Sequence, residues 1–308
     1  MKHVKHISIN KRLTVNELIN LMDKVGVMGC GRLGKAVGIL ERMIKDKDCK
    51  VFFGQAGAMI PGGMRNILSG FMKDCFVDVF VTTGASLTHD LVEALGYRHE
   101  IGKADADDAK LHEEGKDRMW DSYMPNKAYE ALEDFFEKYW EEFSSCNKIN
   151  ELIWKIGSKL DDKDSVLYNC FKKKVPIFCP ALADSGIGLM IWGRKAKNKK
   201  IFIDAFEDMK DIMDIAWSSK KAGVFYVGGG VPKNFIQQAM QLAPRNAIYG
   251  VQITTDKAEY GGSSGASLKE GISWGKMDSK GELVDVFLDG TVALPLVYAA
   301  LRERLIKE

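Results

Sequence analysis

Lys276 stands apart from the other lysines of the chain, which sit in charged, solvated runs. It closes the segment Glu270-Gly271-Ile272-Ser273-Trp274-Gly275-Lys276, downstream of a glycine–serine loop, Gly261-Gly262-Ser263-Ser264-Gly265-Ala266. A lysine amine becomes a nucleophile only when partly desolvated, because water keeps it protonated up to ~10.4. Trp274 offers an apolar wall for that purpose and a ring face for a cation. A surface lysine beside a core tryptophan has the same spacing, and the spacing does not decide between the two.

Four other places combine small and polar residues at the end of an apolar run. They are Gly54-Gln55-Ala56-Gly57-Ala58, Thr82-Thr83-Gly84-Ala85-Ser86, Ala181-Leu182-Ala183-Asp184-Ser185-Gly186 and Gly228-Gly229-Gly230. Glycine lets a backbone approach a phosphate or a ring, and Thr or Ser can donate to it. Each is also ordinary strand-to-helix turn chemistry, but four in one sheet favour a large ligand of dinucleotide size. The GxGxxG at Gly29-Cys30-Gly31-Arg32-Leu33-Gly34 precedes any convincing strand and is discounted as a fingerprint. No metal site is expected, since His3, His6, His89, His99 and His112 have no ligand spacing with the cysteines. The six cysteines form no CxxC pair and read as reduced thiols, which suits a cytoplasmic protein.

The elements that must position these residues alternate along the chain. The apolar runs are 51–54, 77–84, 175–180, 223–227 and 247–253, and helical patterns cover 14–22, 33–45, 64–72, 127–143 and 206–218. Continuous apolar strands between helices predict an α/β fold, with a parallel sheet covered on both faces. Asn126 is the expected N-cap of the helix after it. Residues 102–116 read as a solvated loop or exposed helix, and 195–200 as a surface turn. Without a linker or a repeat, residues 1–308 are expected to form a single domain. Basic and acidic side chains number 44 and 42, a formal charge of +2, so nucleic acid is not the expected partner. No apolar run nears the ~20 residues of a membrane span, and the basic N-terminus lacks a signal-peptide apolar region.

The segments SGASLKEGISWGKM, GGGVPKNFI, PALADSGIG, VDVFVTTGAS with Asp90-Leu91 following, and DRMWDSYMPN occur in one order. Together, from about Gly31 to Leu301, they resemble the deoxyhypusine synthase family. The resemblance implies a Rossmann-like single domain, a homotetramer of tight dimers, and NAD at the dimer interface. It implies oxidation of spermidine, loss of 1,3-diaminopropane, and a 4-aminobutyl group held as an imine on a lysine. That group then passes to a lysine of the precursor of translation initiation factor 5A.

Carried over by residue, Lys276 is the imine-forming lysine, Trp274 lines the polyamine channel and Glu270 grips an amine. Asp184 and Asp289 match acids of the cofactor site, and Thr82, Thr83, Gly84 and Gly229 match cofactor-contacting strand ends. Gly54, Gly57 and Thr255 complete the expected NAD-binding set. The sequence departs from the family where polyamine-contacting residues are expected. Leu189 and Ser263 stand for aspartates, Asn234 for a histidine, and Thr88-His89 for an acidic pair. Each lost charge-assisted contact costs ~1.5–3 kcal/mol, so the donor or the acceptor is expected to differ. Homospermidine-type transfer to a free amine such as putrescine, and a non-catalytic NAD-binding partner, are the alternatives.

Overall fold

In the computed structural model, which describes residues 3–306, each of the five apolar runs holds a strand, and four further strands form outside them. In chain order the strands are β1 (Cys49–Gln55), β2 (Val79–Val81), β3 (Glu100–Ile101), β4 (Lys116–Met119), β5 (Ser122–Pro125), β6 (Ile177–Phe178), β7 (Lys221–Val227), β8 (Ala247–Thr254) and β9 (Met277–Phe287), of which β3, β4, β5 and β9 are the unpredicted ones. The chain packs into two compact units, each assembled from separate segments. Among the described residues, one holds 3–55, 76–81 and 209–306, the other 56–75 and 82–208.

In the first unit, five strands of the parallel sheet run in the order β2-β1-β7-β8-β9. Parallel register sets Phe53 opposite Phe225, and their rings stack at 4.6 Å. Both are essentially inaccessible, and each such burial contributes ~1.5–3 kcal/mol. The predicted parallel α/β class is therefore correct. β9 lay outside the predicted strands, because Asp278-Ser279-Lys280-Gly281-Glu282 interrupts its apolar pattern. It is an edge strand, where polar residues are tolerated. Two cations cover that edge, with Arg32 Nη1 donating to the Asp285 carbonyl at 3.1 Å and Lys35 Nζ to the Leu283 carbonyl at 3.2 Å.

The helix Val15–Val25 opens with a capping box between Thr14 and Glu17 and ends at Gly26, whose φ is +73°. The discounted Gly29–Gly34 motif lies inside the next helix, Met28–Lys45. Its glycines serve helix packing. A Cβ on Gly31 would fall 2.5 Å from Gly26 backbone, and one on Gly34 2.3 Å from the Asp23 nitrogen.

The second unit is mainly helical, with a three-stranded antiparallel ribbon ordered β3-β5-β4. Within the predicted loop-or-helix segment 102–116, the helix Asp108–Glu113 forms, capped by the Asp107 carboxylate. Asn126 does not cap the following helix: its backbone is already helical and its side chain makes no cap bond. That helix stops at Lys138 and resumes as Trp140–Phe143, because Tyr139 (φ −109°, ψ 14°) breaks the ladder. The centre of this unit is Asp90, wholly buried. Its carboxylate accepts from Arg65 Nε at 2.8 Å, Ser165 Oγ at 2.7 Å, Val166 N at 3.0 Å and Leu167 N at 2.9 Å. One acid thus ties its own helix, Gly84–Ala94, to the start of Val166–Lys173 and to Arg65.

Candidate active site around Lys276

Two crossovers of the first unit enclose a cavity of about 380 Å³. One is the helix Gly230–Leu242 between β7 and β8, and the other is the irregular segment between β8 and β9. The helix lines it from Lys233 and Asn234 through Gln237 and Gln238 to Gln241, residues that three- and four-residue spacing places on one face. At 1.5 Å per residue, Asn234 to Gln241 spans roughly 10 Å of helix axis. The other wall carries Ser263, Glu270, Trp274 and Lys276. Four expected substrate-binding residues, Glu270, Trp274, Asn234 and Ser263, therefore meet Lys276 in one place.

Local backbone chemistry aims these side chains. Ser267 caps the short helix Leu268–Ile272, Gly275 takes φ +68°, and the Lys276 N–H returns to the Gly271 carbonyl at 2.9 Å. The turn brings the Lys276 amine to 4.8 Å from the Trp274 ring centroid, within cation–π range. Trp274 is 57% exposed, so it is a cavity wall and not a core tryptophan. This resolves the ambiguity the spacing left open. Glu270 is exposed, whereas Lys276 is half-buried.

Lys233 is the residue that sequence reasoning missed. It is 5% exposed, and its ammonium donates to the Ser263 carbonyl at 2.7 Å and the Ala266 carbonyl at 2.6 Å. Burial pushes its pKa down to about 8, against the pull of Asp285 and Glu270, while Lys276 adds to the lowering. Burial likewise raises the Asp285 carboxyl, opposed by the Leu268 N–H and by Lys233. Gln252 shares the Ala266 carbonyl at 3.1 Å. The glycine–serine loop is thus pinned from inside by a buried cation. The available signal was a lysine among buried Pro232, Phe235 and Ile236. Close approach does the rest: a Cβ on Gly229 would lie 2.2 Å from Ser264 Cα, and one on Gly265 2.2 Å from the Lys257 carbonyl oxygen.

The residues expected at a cofactor fall in both units. In the first, Gly54 and Gly229 lie at the carboxyl ends of neighbouring strands β1 and β7, from which the chain crosses over in opposite directions along the sheet. Ligands bind at such a switch point in open α/β sheets. Thr255 follows β8. Asp289 follows β9, is exposed, and accepts from the Thr291 N–H at 2.8 Å and from the Thr291 hydroxyl. A Cβ on Gly54 would meet Tyr226 at 2.9 Å, so packing alone already calls for glycine there. In the second unit, Gly57 has φ +85°, buried Thr82 donates its N–H to the Phe178 carbonyl at 3.0 Å, and Thr83 caps Gly84–Ala94. A Cβ on Gly84 would lie 2.5 Å from Ser185 Cβ. Asp184 is exposed beside the cap of Gly186–Ala196, and Leu189 on that helix is 54% exposed.

A parallel α/β sheet whose crossovers frame a lysine against a tryptophan defines an enzyme scaffold that can work covalently through an amine. The deoxyhypusine synthase family profile matches residues 17–301. A Methanosarcina mazei protein described as a probable deoxyhypusine synthase is 43% identical over 306 residues, covering 99% of this chain and 96% of its own. One from Archaeoglobus fulgidus, described likewise, is 41% identical over 296 residues and covers 96% of both chains. A crystal structure from Entamoeba histolytica, described as that of a putative deoxyhypusine synthase, superposes with a TM-score of 0.64 at 20% identity, over 96% of each chain. The chain belongs to the deoxyhypusine synthase family, and its class is that of an aminobutyl transferase.

Proposed function

We propose that the protein transfers a 4-aminobutyl group from spermidine or a related amine, through an imine on Lys276, to a lysine of the initiation factor 5A precursor. The observation that carries this reading is the cavity in which Lys276 faces Trp274 beside Glu270. Its helix wall of roughly 10 Å suits an extended aliphatic amine. Glu270 would hold an ammonium end, and the Trp274 face would hold the chain while keeping water from the lysine. The Lys276 amine adds to the oxidised carbon, a new C–N bond forms, and the bond to the departing diamine breaks.

NAD fits the first unit, where a glycine-lined switch point and the exposed Asp289 offer close backbone and a carboxylate acceptor for ribose hydroxyls. When bound, it would take up a hydride and later return it. Gly54, Gly229, Thr255 and Asp289 would hold it there, while Gly57, Thr82, Thr83, Gly84 and Asp184 remain proposed contacts. No metal takes part in this reading, and the protein acts as a cytoplasmic homotetramer.

A second reading keeps the chemistry and changes the acceptor to a free amine such as putrescine. Asn234 and Ser263 favour it, because they put neutral groups on the cavity wall where the family resemblance implies a cation-binding set, and Leu189 does so on its own helix. Incubation with NAD and spermidine, putrescine or agmatine, with and without the factor, separates the readings by product mass. Strong spermidine preference that Leu189→Asp with Ser263→Asp does not improve would remove the argument from the altered pocket.

A further inference from the structure

The cavity of the first unit contains an amide whose nitrogen is tied down and whose oxygen is not. Gln237 is 5% exposed, and its Nε2 donates to the Tyr226 hydroxyl oxygen at 2.9 Å and to Met277 Sδ at 3.5 Å, on two wholly buried side chains. Two acceptors at one end identify that end as the nitrogen, so Oε1 is the atom turned away from them. Among the described residues nothing donates to this oxygen. It points across to the wall that carries the lysine. The position a Gly271 Cβ would occupy is 3.3 Å from Gln237 Oε1 and 3.6 Å from Lys276 Cβ, and all three residues line the cavity. An acceptor on a largely buried side chain calls for a donor.

The surrounding charges limit what that donor can be. The cavity lining carries one carboxylate, Glu270, against the ammonium groups of Lys276 and Lys233. Lys233 already spends its donors on the Ser263 and Ala266 carbonyls. Of the groups behind the lining, burial keeps the Tyr226 phenol protonated. It also raises the Asp285 carboxyl, which accepts from the Leu268 N–H at 3.0 Å. A single carboxylate holds a single ammonium. A second ammonium would meet two cations and only neutral oxygens, and like charges favour the loss of its proton. Asn234, Gln238 and Gln241 also bring amides to the cavity, but theirs are exposed and stay hydrated.

We infer that Gln237 Oε1 accepts an N–H from the reacting nitrogen of the amine substrate and holds that nitrogen as the neutral amine, while Glu270 holds another as an ammonium. The proton shed passes to bulk water as the amine enters. This assignment rests on the proposed amine transfer, in which the carbon beside the reacting nitrogen gives up a hydride. The nitrogen lone pair must then be free to form the C=N bond. A carbonyl accepts an N–H and leaves that lone pair alone. A carboxylate in the same place would stabilise the ammonium and keep the lone pair occupied. The neutral amide is therefore what the chemistry needs at this spot, and the Tyr226 and Met277 contacts hold it there.

Two measurements on the full-length protein test this. Solid-state nitrogen-15 spectra of doubly labelled putrescine bound at pH 8 should show one ammonium and one neutral amine in the wild type, and two ammonium groups in Gln237→Glu. Two ammonium signals in the wild type, or no bound signal, overturn the assignment. Borohydride trapping of the amine adduct on Lys276 should slow at least tenfold in Gln237→Met, which fills the space without an acceptor. In Gln237→Glu the acid limb of the trapping profile should move to higher pH by about one unit, because a carboxylate raises the pKa of the bound amine. Mere loss of packing would slow the reaction without moving that limb. Glu270→Gln should raise the amine KM and leave the limb in place. An unmoved limb in Gln237→Glu, with wild-type rates in both Gln237 variants, overturns the role. A wild type that binds putrescine but forms no adduct with any amine overturns the proposed function instead, and the spectra then decide Gln237 alone.

Discussion

Two lysines share one cavity and do different work, because one is buried and bonded while the other faces a ring. Replacing Lys276 with Arg keeps the charge and removes the usable amine. Borohydride treatment with NAD and an active donor should therefore add mass at residue 276 of the wild type and nowhere in the variant. Persistence of the adduct in Lys276→Arg would place the imine elsewhere. Lys233 makes a pH prediction. Its pKa is lowered from 10.5 to about 8 on folding, so between those values the unfolded chain holds a proton that the folded chain lacks. Stability gains from this group as pH rises through that window, by about 3 kcal/mol, and the penalty is fully present below it. Urea unfolding at pH 7.5 and pH 10 should show this gain in the wild type relative to Lys233→Met. The variant, with the Ser263 and Ala266 carbonyls deprived of a donor, should be the less stable at pH 10.

Helix starts rest on neighbours in sequence, although the one predicted cap, Asn126, does not form. The Thr14–Glu17 capping box and the Ser267 cap are local patterns, legible because both partners sit within three residues. Asp90 is the opposite case: an acid in a helix interior whose donors come from residues 65 and 165–167. Asp90→Asn keeps the shape but turns one acceptor into a donor facing donors and leaves Arg65 with less compensation. The expected loss is about 3–5 kcal/mol, measured by denaturant unfolding. A loss below 1 kcal/mol would show that the cluster relaxes around the change. The same contrast applies to Gly29–Gly34, where a glycine spacing that mimics a nucleotide fingerprint is explained by two helix backbones in close contact.

Neither compact unit is a continuous stretch, and the chain passes between them at residues 55–56, 75–76, 81–82 and 208–209. Four crossings argue that neither unit folds without the other, which keeps the single-domain expectation as a proposal with a test. Thermal unfolding followed by near-UV and far-UV signals should give coincident transitions, and two separated transitions would refute it. Trp192, Phe202 and Phe206 are large apolar side chains exposed at 67%, 74% and 85%. They fit the proposed homotetramer. Light scattering at micromolar concentration should give four times the chain mass, and a fully active monomer would contradict it. No helix among the described residues is long and apolar enough to cross a membrane.

By itself the sequence determined the parallel sheet, most of its strands and the segment carrying Lys276. Each of these depends on neighbours a few residues away, through alternation, helical period or turn geometry. Tertiary structure decided what depends on partners far along the chain. Edge strand β9 is tolerated through its pairing with β8 and the cover of Arg32 and Lys35. Lys233 became a buried cation because the 263–266 loop folds over it. His89 meets His99, ten residues on, at 2.9 Å, and His99 in turn meets Glu93 at 2.7 Å. Burial and hydrogen-bond direction are properties of surroundings, and residue type alone does not carry them.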